Sequence, residues 1–208
     1  QKRYRSMINL AIFASGNGSN AKKLIECIRD LDSLKLCILI TDNEHAGVIN
    51  HCKEYNINYK VCPKNNISKE EHENLIIEEL KAYKIDYILL AGYMRILSSK
   101  FISHFSREGE KHSRIVNIHP SLLPHHKGLN AYEKAYADKS SFSGITLHYV
   151  DPGMDSGEII MQAKLDKKDQ EPLEDFITRG LTLEHQIYPY FIEVLNSNAK
   201  DISPLEEI

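Results

Sequence analysis

The stretch Arg114-Ile115-Val116-Asn117-Ile118-His119-Pro120-Ser121-Leu122-Leu123-Pro124 joins an apolar, β-branched run to an amide, an imidazole and two prolines. Such a run predicts a buried strand that stops where the prolines withhold their backbone donors. Side chains two apart on a strand project from one face, so Asn117 and His119 point the same way. A neutral donor beside a titratable ring suits a reaction in which negative charge develops on an oxygen. An isolated Asn-x-His also fits a capped strand end with a satisfied core histidine. The chemistry therefore depends on what the rest of the chain brings to this strand.

A carboxylate is one candidate. Asp151-Pro152-Gly153-Met154-Asp155-Ser156-Gly157 is dense in turn residues and lies between an alternating strand at Ser143–Val150 and a second strand predicted over Glu158–Lys164. Gly153 and Gly157 allow backbone geometry that can set Asp155 against His119, where a carboxylate favours the charged ring. His125, His126 and His148 lie nearby in sequence, but no i, i+4 pair on a helix and no accompanying cysteine gives a metal-site spacing, so no metal is assigned.

A second candidate site lies near the start. Ile8–Phe13 reads as a central strand, Ala14-Ser15-Gly16-Asn17-Gly18-Ser19-Asn20 breaks it, and a helix is predicted over 21–30. Strand, glycine loop and helix form an anion-binding arrangement of backbone N–H groups, side-chain donors and a helix N-terminus. The loop also satisfies G-x-G-x-x-A, with Asp42 after the strand Leu36–Thr41 where a dinucleotide fold keeps its ribose-binding acid. A dinucleotide-dependent oxidoreductase is therefore one alternative, and a non-catalytic nucleotide sensor another.

The elements that must position these groups alternate. Helices are predicted over 46–55, 69–83, 98–105 and 131–137, with strands at 58–61 and 87–91. This pattern predicts an α/β fold: a Rossmann-like, mostly parallel sheet with helices on both faces and an antiparallel C-terminal extension. Ligands collect at the carboxyl ends of such strands, where Gly16, Gly92 and Asn117 can share a cleft. Gly92-Tyr93-Met94-Arg95-Ile96-Leu97 could take a planar aromatic ligand on its apolar side chains. A last helix is predicted over 172–196, with Pro189 kinking or interrupting it; Glu184 and His185 could face the cleft or solvent.

Composition narrows the classes. The 208 residues carry a net charge of −3, 42% hydrophobic and 26% charged residues, ordinary for one soluble globular domain. That charge gives no basic field for a nucleic acid, and no stretch has the length of a membrane span. Cys27, Cys37, Cys52 and Cys62 lack C-x-x-C spacing, as expected of reduced thiols in a cytoplasmic protein. The expected organisation is one domain over 1–208, with 1–6 a lead and 198–208 a tail.

Taken in order, GNGSN (Gly16–Asn20), LAGYMRIL (Leu90–Leu97), NIHPSLLP (Asn117–Pro124), HYVDPGMDSGEII (His148–Ile160) and EHQIYP (Glu184–Pro189) resemble the folate-dependent formyltransferases, in particular those acting on glycinamide ribonucleotide in purine synthesis. The resemblance runs from about Met7 to Leu195. It implies formyl transfer from 10-formyltetrahydrofolate, a co-substrate, to the amine of glycinamide ribonucleotide, with Asn117, His119 and Asp155 as the catalytic trio. It implies Gly18, Ser19, Asn20 and the segment Leu181, Thr182, Leu183 and Glu184 as contacts to the ribonucleotide. It implies Met94, Arg95, Ile96 and Leu97, with Asn117 and Asp151, Pro152, Gly153, Met154 and Asp155, as the folate pocket. Lys69 stands where some relatives have an arginine near the folate glutamate tail; it keeps the charge without the bidentate fork. Small-molecule partners only, and a monomer or weak homodimer, are expected. Among related activities, formyltetrahydrofolate deformylase and methionyl-tRNA formyltransferase carry further domains that are not expected here.

Overall fold

The structure is a computed structural model and describes residues 7–201, the side chains of 199–201 apart. The elements run β1 (Ile8–Phe13), α1 (Ser19–Ile28), β2 (Leu34–Thr41), α2 (Val48–Glu54), β3 (Tyr59–Val61), α3 (Lys69–Lys81), β4 (Tyr87–Leu90), α4 (Ser99–His104), β5 (Ile115–His119), α5 (Ala131–Ala137), β6 (Phe142–Tyr149), β7 (Ile159–Asp166) and α6 (Leu173–Asp201). The strands form one sheet in the order β3-β2-β1-β4-β5-β6-β7. β1 to β5 pair in parallel, and β6 and β7 add as antiparallel strands, as the alternation of elements predicts.

The strand pleat sorts the core into two layers. Leu10, Ile12, Leu39, Leu89, Val116 and Leu147 face α1, α2 and α6. Their neighbours Ala11, Phe13, Ile38, Ile40, Ile88 and Ile115 face α3 and α4. The central strands are therefore apolar on both faces, the signature of a covered parallel sheet. Asn117 and His119 follow Ile115 on alternate positions and so share the α3/α4 side.

Beyond shifts of a residue or two at other element ends, three departures from the sequence expectation stand out. The first helix starts at Ser19, so Ser19 and Asn20 lie in its first turn and not in the loop. Pro189 does not interrupt the last helix, which runs on to Asp201. An apolar stripe of Phe176, Ile187, Tyr188, Phe191, Ile192 and Leu195 is buried on both sides of the proline, and tertiary packing outweighs the lost backbone bond. The expected tail from Asn198 is thus helical as far as Asp201, while 202–208 and the lead 1–6 lie outside the described residues.

Candidate functional site

The chain leaves β1 toward β2 and β3, then crosses to β4 and β5 on the other side, so the topological switch point lies between β1 and β4. The loops at that point are bound together. Ser15 N–H donates to the Gly92 carbonyl at 3.2 Å, and Met94 N–H donates to Ser15 Oγ at 2.9 Å. Gly18 caps α1 with φ 76°, and a Cβ there would lie 2.5 Å from Val48 Cγ2. Only glycine meets both conditions, which leaves the first N–H groups of α1 without a side-chain cap.

Around this opening the folate candidates divide. Met94 and Ile96 are among the most exposed apolar side chains, at 66% and 69%, whereas Leu97 is buried in the core against α3 and α4. Arg95 Nε donates to Asp42 Oδ2 at 2.7 Å. One oxygen of the carboxylate that a dinucleotide enzyme would turn to a ribose is thus taken by a guanidinium. Lys69, the exposed first residue of α3, lines one surface groove with Ser98, next to Leu97.

The central cluster sits on the face of β5 and β6. In their antiparallel register Asn117 lies opposite His148 and His119 opposite Thr146. Asn117 Nδ2 is 3.2 Å from His148 Nε2. His148 Nδ1 is 3.0 Å from the Tyr149 carbonyl, which can only accept, so Nδ1 carries the proton and Nε2 accepts from the amide. Burial lowers the His148 pKa from its ordinary value, consistent with that neutral ring. His119 is fixed in the same way: its Nε2 donates to the His126 carbonyl at 2.8 Å, leaving Nδ1 as the nitrogen open to other partners.

The loop after β6 folds back along this face and brings Asp155 between the two rings. Asp155 Oδ2 is 3.6 Å from His119 Nδ1, and Oδ1 is 3.8 Å from His148 Nε2. Oδ2 also accepts the Gly128 N–H at 2.8 Å. Asp155 adopts φ 48°, a left-handed conformation that aspartate tolerates better than most residues. Asp151 braces the loop from inside, its Oδ1 accepting Gly153 N–H at 2.9 Å and Ser156 Oγ at 2.6 Å. Its carboxylate is therefore spent within the loop, while Pro152, Gly153 and Met154 are exposed.

The segment Leu181–Glu184 forms one turn of α6, inside the predicted helix. Thr182 is exposed and donates to the Thr178 carbonyl at 3.0 Å, and Leu183 packs with the core. Glu184 is buried, its Oε1 accepting Asn20 Nδ2 at 3.1 Å and its Oε2 the Tyr132 hydroxyl at 2.5 Å. Asn20 and Glu184 thus meet, while Ser19 and Gly18 lie beside them at the start of α1. Sequence reasoning missed His148 and Tyr132. The alternation of β6 could have placed His148 on the Asn117 face; no sequence signal marks Tyr132.

An amide, an imidazole and a carboxylate thus converge on the β5–β6 face of a doubly wound sheet. The chain belongs to the formyl transferase family, whose model matches residues 8–192. It is 35% identical over 191 residues to the phosphoribosylglycinamide formyltransferase of Bacillus subtilis, across 91% of this chain and 95% of that one. It is 33% identical over 189 residues to the enzyme of the same name from Haemophilus influenzae, across 90% and 86%. The crystal structure of glycinamide ribonucleotide transformylase 1 from Geobacillus kaustophilus superposes with a TM-score of 0.84 at 38% identity, covering 91% of this chain and 98% of that one.

Proposed function

We propose that this protein transfers the formyl group of 10-formyltetrahydrofolate to the primary amine of glycinamide ribonucleotide. The observation that carries this reading is the placement of Asp155 within 3.6 Å of His119 Nδ1, on the face where Asn117 presents its amide. Attack of the amine on the formyl carbon makes the new C–N bond and leaves negative charge on the formyl oxygen. The Asn117 N–H not taken by His148, and a proton on His119 Nδ1, are the donors for that oxygen. Collapse breaks the bond to the folate N10, and the amine's proton passes by way of Asp155, directly or through water, to that nitrogen.

The ribonucleotide phosphate goes to the uncapped N-terminus of α1 at Gly18 and Ser19, and its ribose to Asn20 and Glu184. The pterin goes to the loop of Met94, Arg95, Ile96 and Leu97 and to the loop of Asp151–Asp155, with Lys69 toward the folate tail. These steps use donors and acid–base groups, and we assign no metal. The protein acts in the cytoplasm on small molecules, without a nucleic-acid or membrane partner, as a monomer or weak homodimer.

One assay tests this. Purified protein, glycinamide ribonucleotide and 10-formyltetrahydrofolate should release the deformylated folate, followed by absorbance. Release that proceeds equally without the ribonucleotide means hydrolysis and makes the protein a deformylase. Release that requires a nicotinamide cofactor means an oxidoreductase.

A further inference from the structure

Tyr132 lies on α5, and its side chain ends in the ribose half-site. Its hydroxyl donates to Glu184 Oε2, and Asn20 Nδ2 donates to Oε1. The Asn20 Oδ1 atom is buried without a hydrogen-bond partner among the described residues. Each carboxylate oxygen keeps a further lone pair, so the cluster presents surplus acceptors and asks for donors. Hydroxyl groups, uncharged and close together as on a sugar, fit that demand; a second anion does not.

The phenol can reach Glu184 only because of a gap in α6. A Cβ on Gly180 would lie 2.5 Å from the Tyr132 hydroxyl oxygen and 2.3 Å from its Cε1. Glycine inside a helix ordinarily weakens it, so its use here points to the close approach it permits. The ring itself is seated edge-on against Phe176, with centroids 6.1 Å apart. Ring packing and hydroxyl placement are therefore separable features.

We propose that Tyr132 is the positioning residue of the ribose half-site: its hydroxyl, admitted by Gly180, fixes the Glu184 carboxylate beside Asn20 so that the pair accepts the hydroxyls of the substrate ribose. This rests on the ribonucleotide reading above. Burial raises the Glu184 pKa, and the two donors, Tyr132 on α5 and Asn20 on α1, oppose that rise. Removing the Tyr132 donor therefore moves the carboxylate toward its protonated form, which has one acceptor fewer for the sugar.

The test is Tyr132→Phe, which keeps the ring on Phe176, with Gly180→Ala as a second route to the same displacement. In Tyr132→Phe the KM for glycinamide ribonucleotide should rise about tenfold or more, since a hydrogen bond to a charged group is lost. The acid limb of kcat/KM for the ribonucleotide should move to higher pH, while kcat at saturation and the KM for the formyl donor hold. Gly180→Ala should reproduce this pattern if it folds, as judged by thermal unfolding. An unchanged ribonucleotide KM in Tyr132→Phe, or a raised KM with the acid limb in place, overturns the proposal. Calorimetric titration with the ribonucleotide separates it from the reading on which it rests. Wild-type protein that binds but does not turn over sinks the transferase reading alone, and the affinity loss in Tyr132→Phe still decides the role of Tyr132. Wild-type protein that does not bind sinks both.

Discussion

Asn117 and His148 face each other across the β5–β6 ladder at 3.2 Å, and the Tyr149 carbonyl at 3.0 Å from the far side of the imidazole decides which of them donates. His148 Nε2 can only accept, so it fixes the flip of the Asn117 amide and turns its remaining N–H outward. Replacing His148 with alanine removes that constraint while leaving the amide in place. The expected result is a kcat lower by roughly 3- to 10-fold with both KM values little changed, measured by steady-state kinetics. An unaltered kcat would mean that the amide orientation is set elsewhere.

The same histidine gives a stability prediction with a definite sign. Burial lowers its folded pKa below the ordinary histidine value of about 6.5. Below pH 6.5 the unfolded chain therefore takes up a proton that the folded chain refuses, so the neutral ring's contribution is complete above that pH and shrinks as pH falls toward the folded pKa. Denaturant unfolding of the wild type between pH 7.5 and about 5 should show stability falling with acid. In His148→Gln this part of the slope should be absent, and an identical slope in both proteins counts against it.

Asn117→Ala tests the oxyanion role directly. By comparison with other donors of this kind the loss should be about 2.7–4 kcal/mol of transition-state stabilisation, read as kcat. Glycinamide ribonucleotide affinity, measured by calorimetry, should stay near wild type because the amide is assigned to the reacting oxygen and not to the ribose or phosphate.

His119→Ala and Asp155→Asn should fold and bind both substrates, with kcat lower by a factor on the order of 10²–10⁴. Asparagine is the informative replacement at 155, since it also accepts a positive φ and keeps the shape of the side chain while deleting its charge. Wild-type turnover in either variant would falsify the assignment of the trio.

Gly18→Ala joins stability to binding. The left-handed backbone alone should cost about 1–2 kcal/mol, and the contact with Val48 adds to it. A lowered denaturant midpoint and a raised ribonucleotide KM are expected together. A full midpoint with a raised KM would place the effect in the ligand and not in the loop.

Much of this was legible in the sequence because it is local. A glycine loop between an apolar strand and a helix, and Asn117 and His119 two apart on a β-branched run, need no tertiary information. The mostly parallel sheet with its antiparallel edge follows from the alternation of elements. The path of the loop carrying Asp155 depends on where β6 pairs along β5, which spacing does not reveal. The committed state of Asp42 depends on Arg95, 53 positions away. Glu184 is assigned neither to cleft nor solvent by periodicity because its neighbours, Asn20 and Tyr132, come from two other helices. Pro189 misled for the converse reason: its local preference is real, but the buried stripe on α6 overrides it.

Tyr188 follows Glu184 by one helical turn, and its fully buried hydroxyl contacts the Leu90 carbonyl at 2.9 Å and the Val116 carbonyl at 3.3 Å. Leu90 pairs in register with Asn117, and Val116 precedes it. The helix that carries Glu184 is thereby pinned to β4 and to β5, the strand that carries Asn117 and His119. On the proposed assignment the gap from sugar to nucleophile is a fixed gauge, and a substrate whose amine arm is a carbon too long or too short would find its nitrogen off the mark however well its phosphate is held.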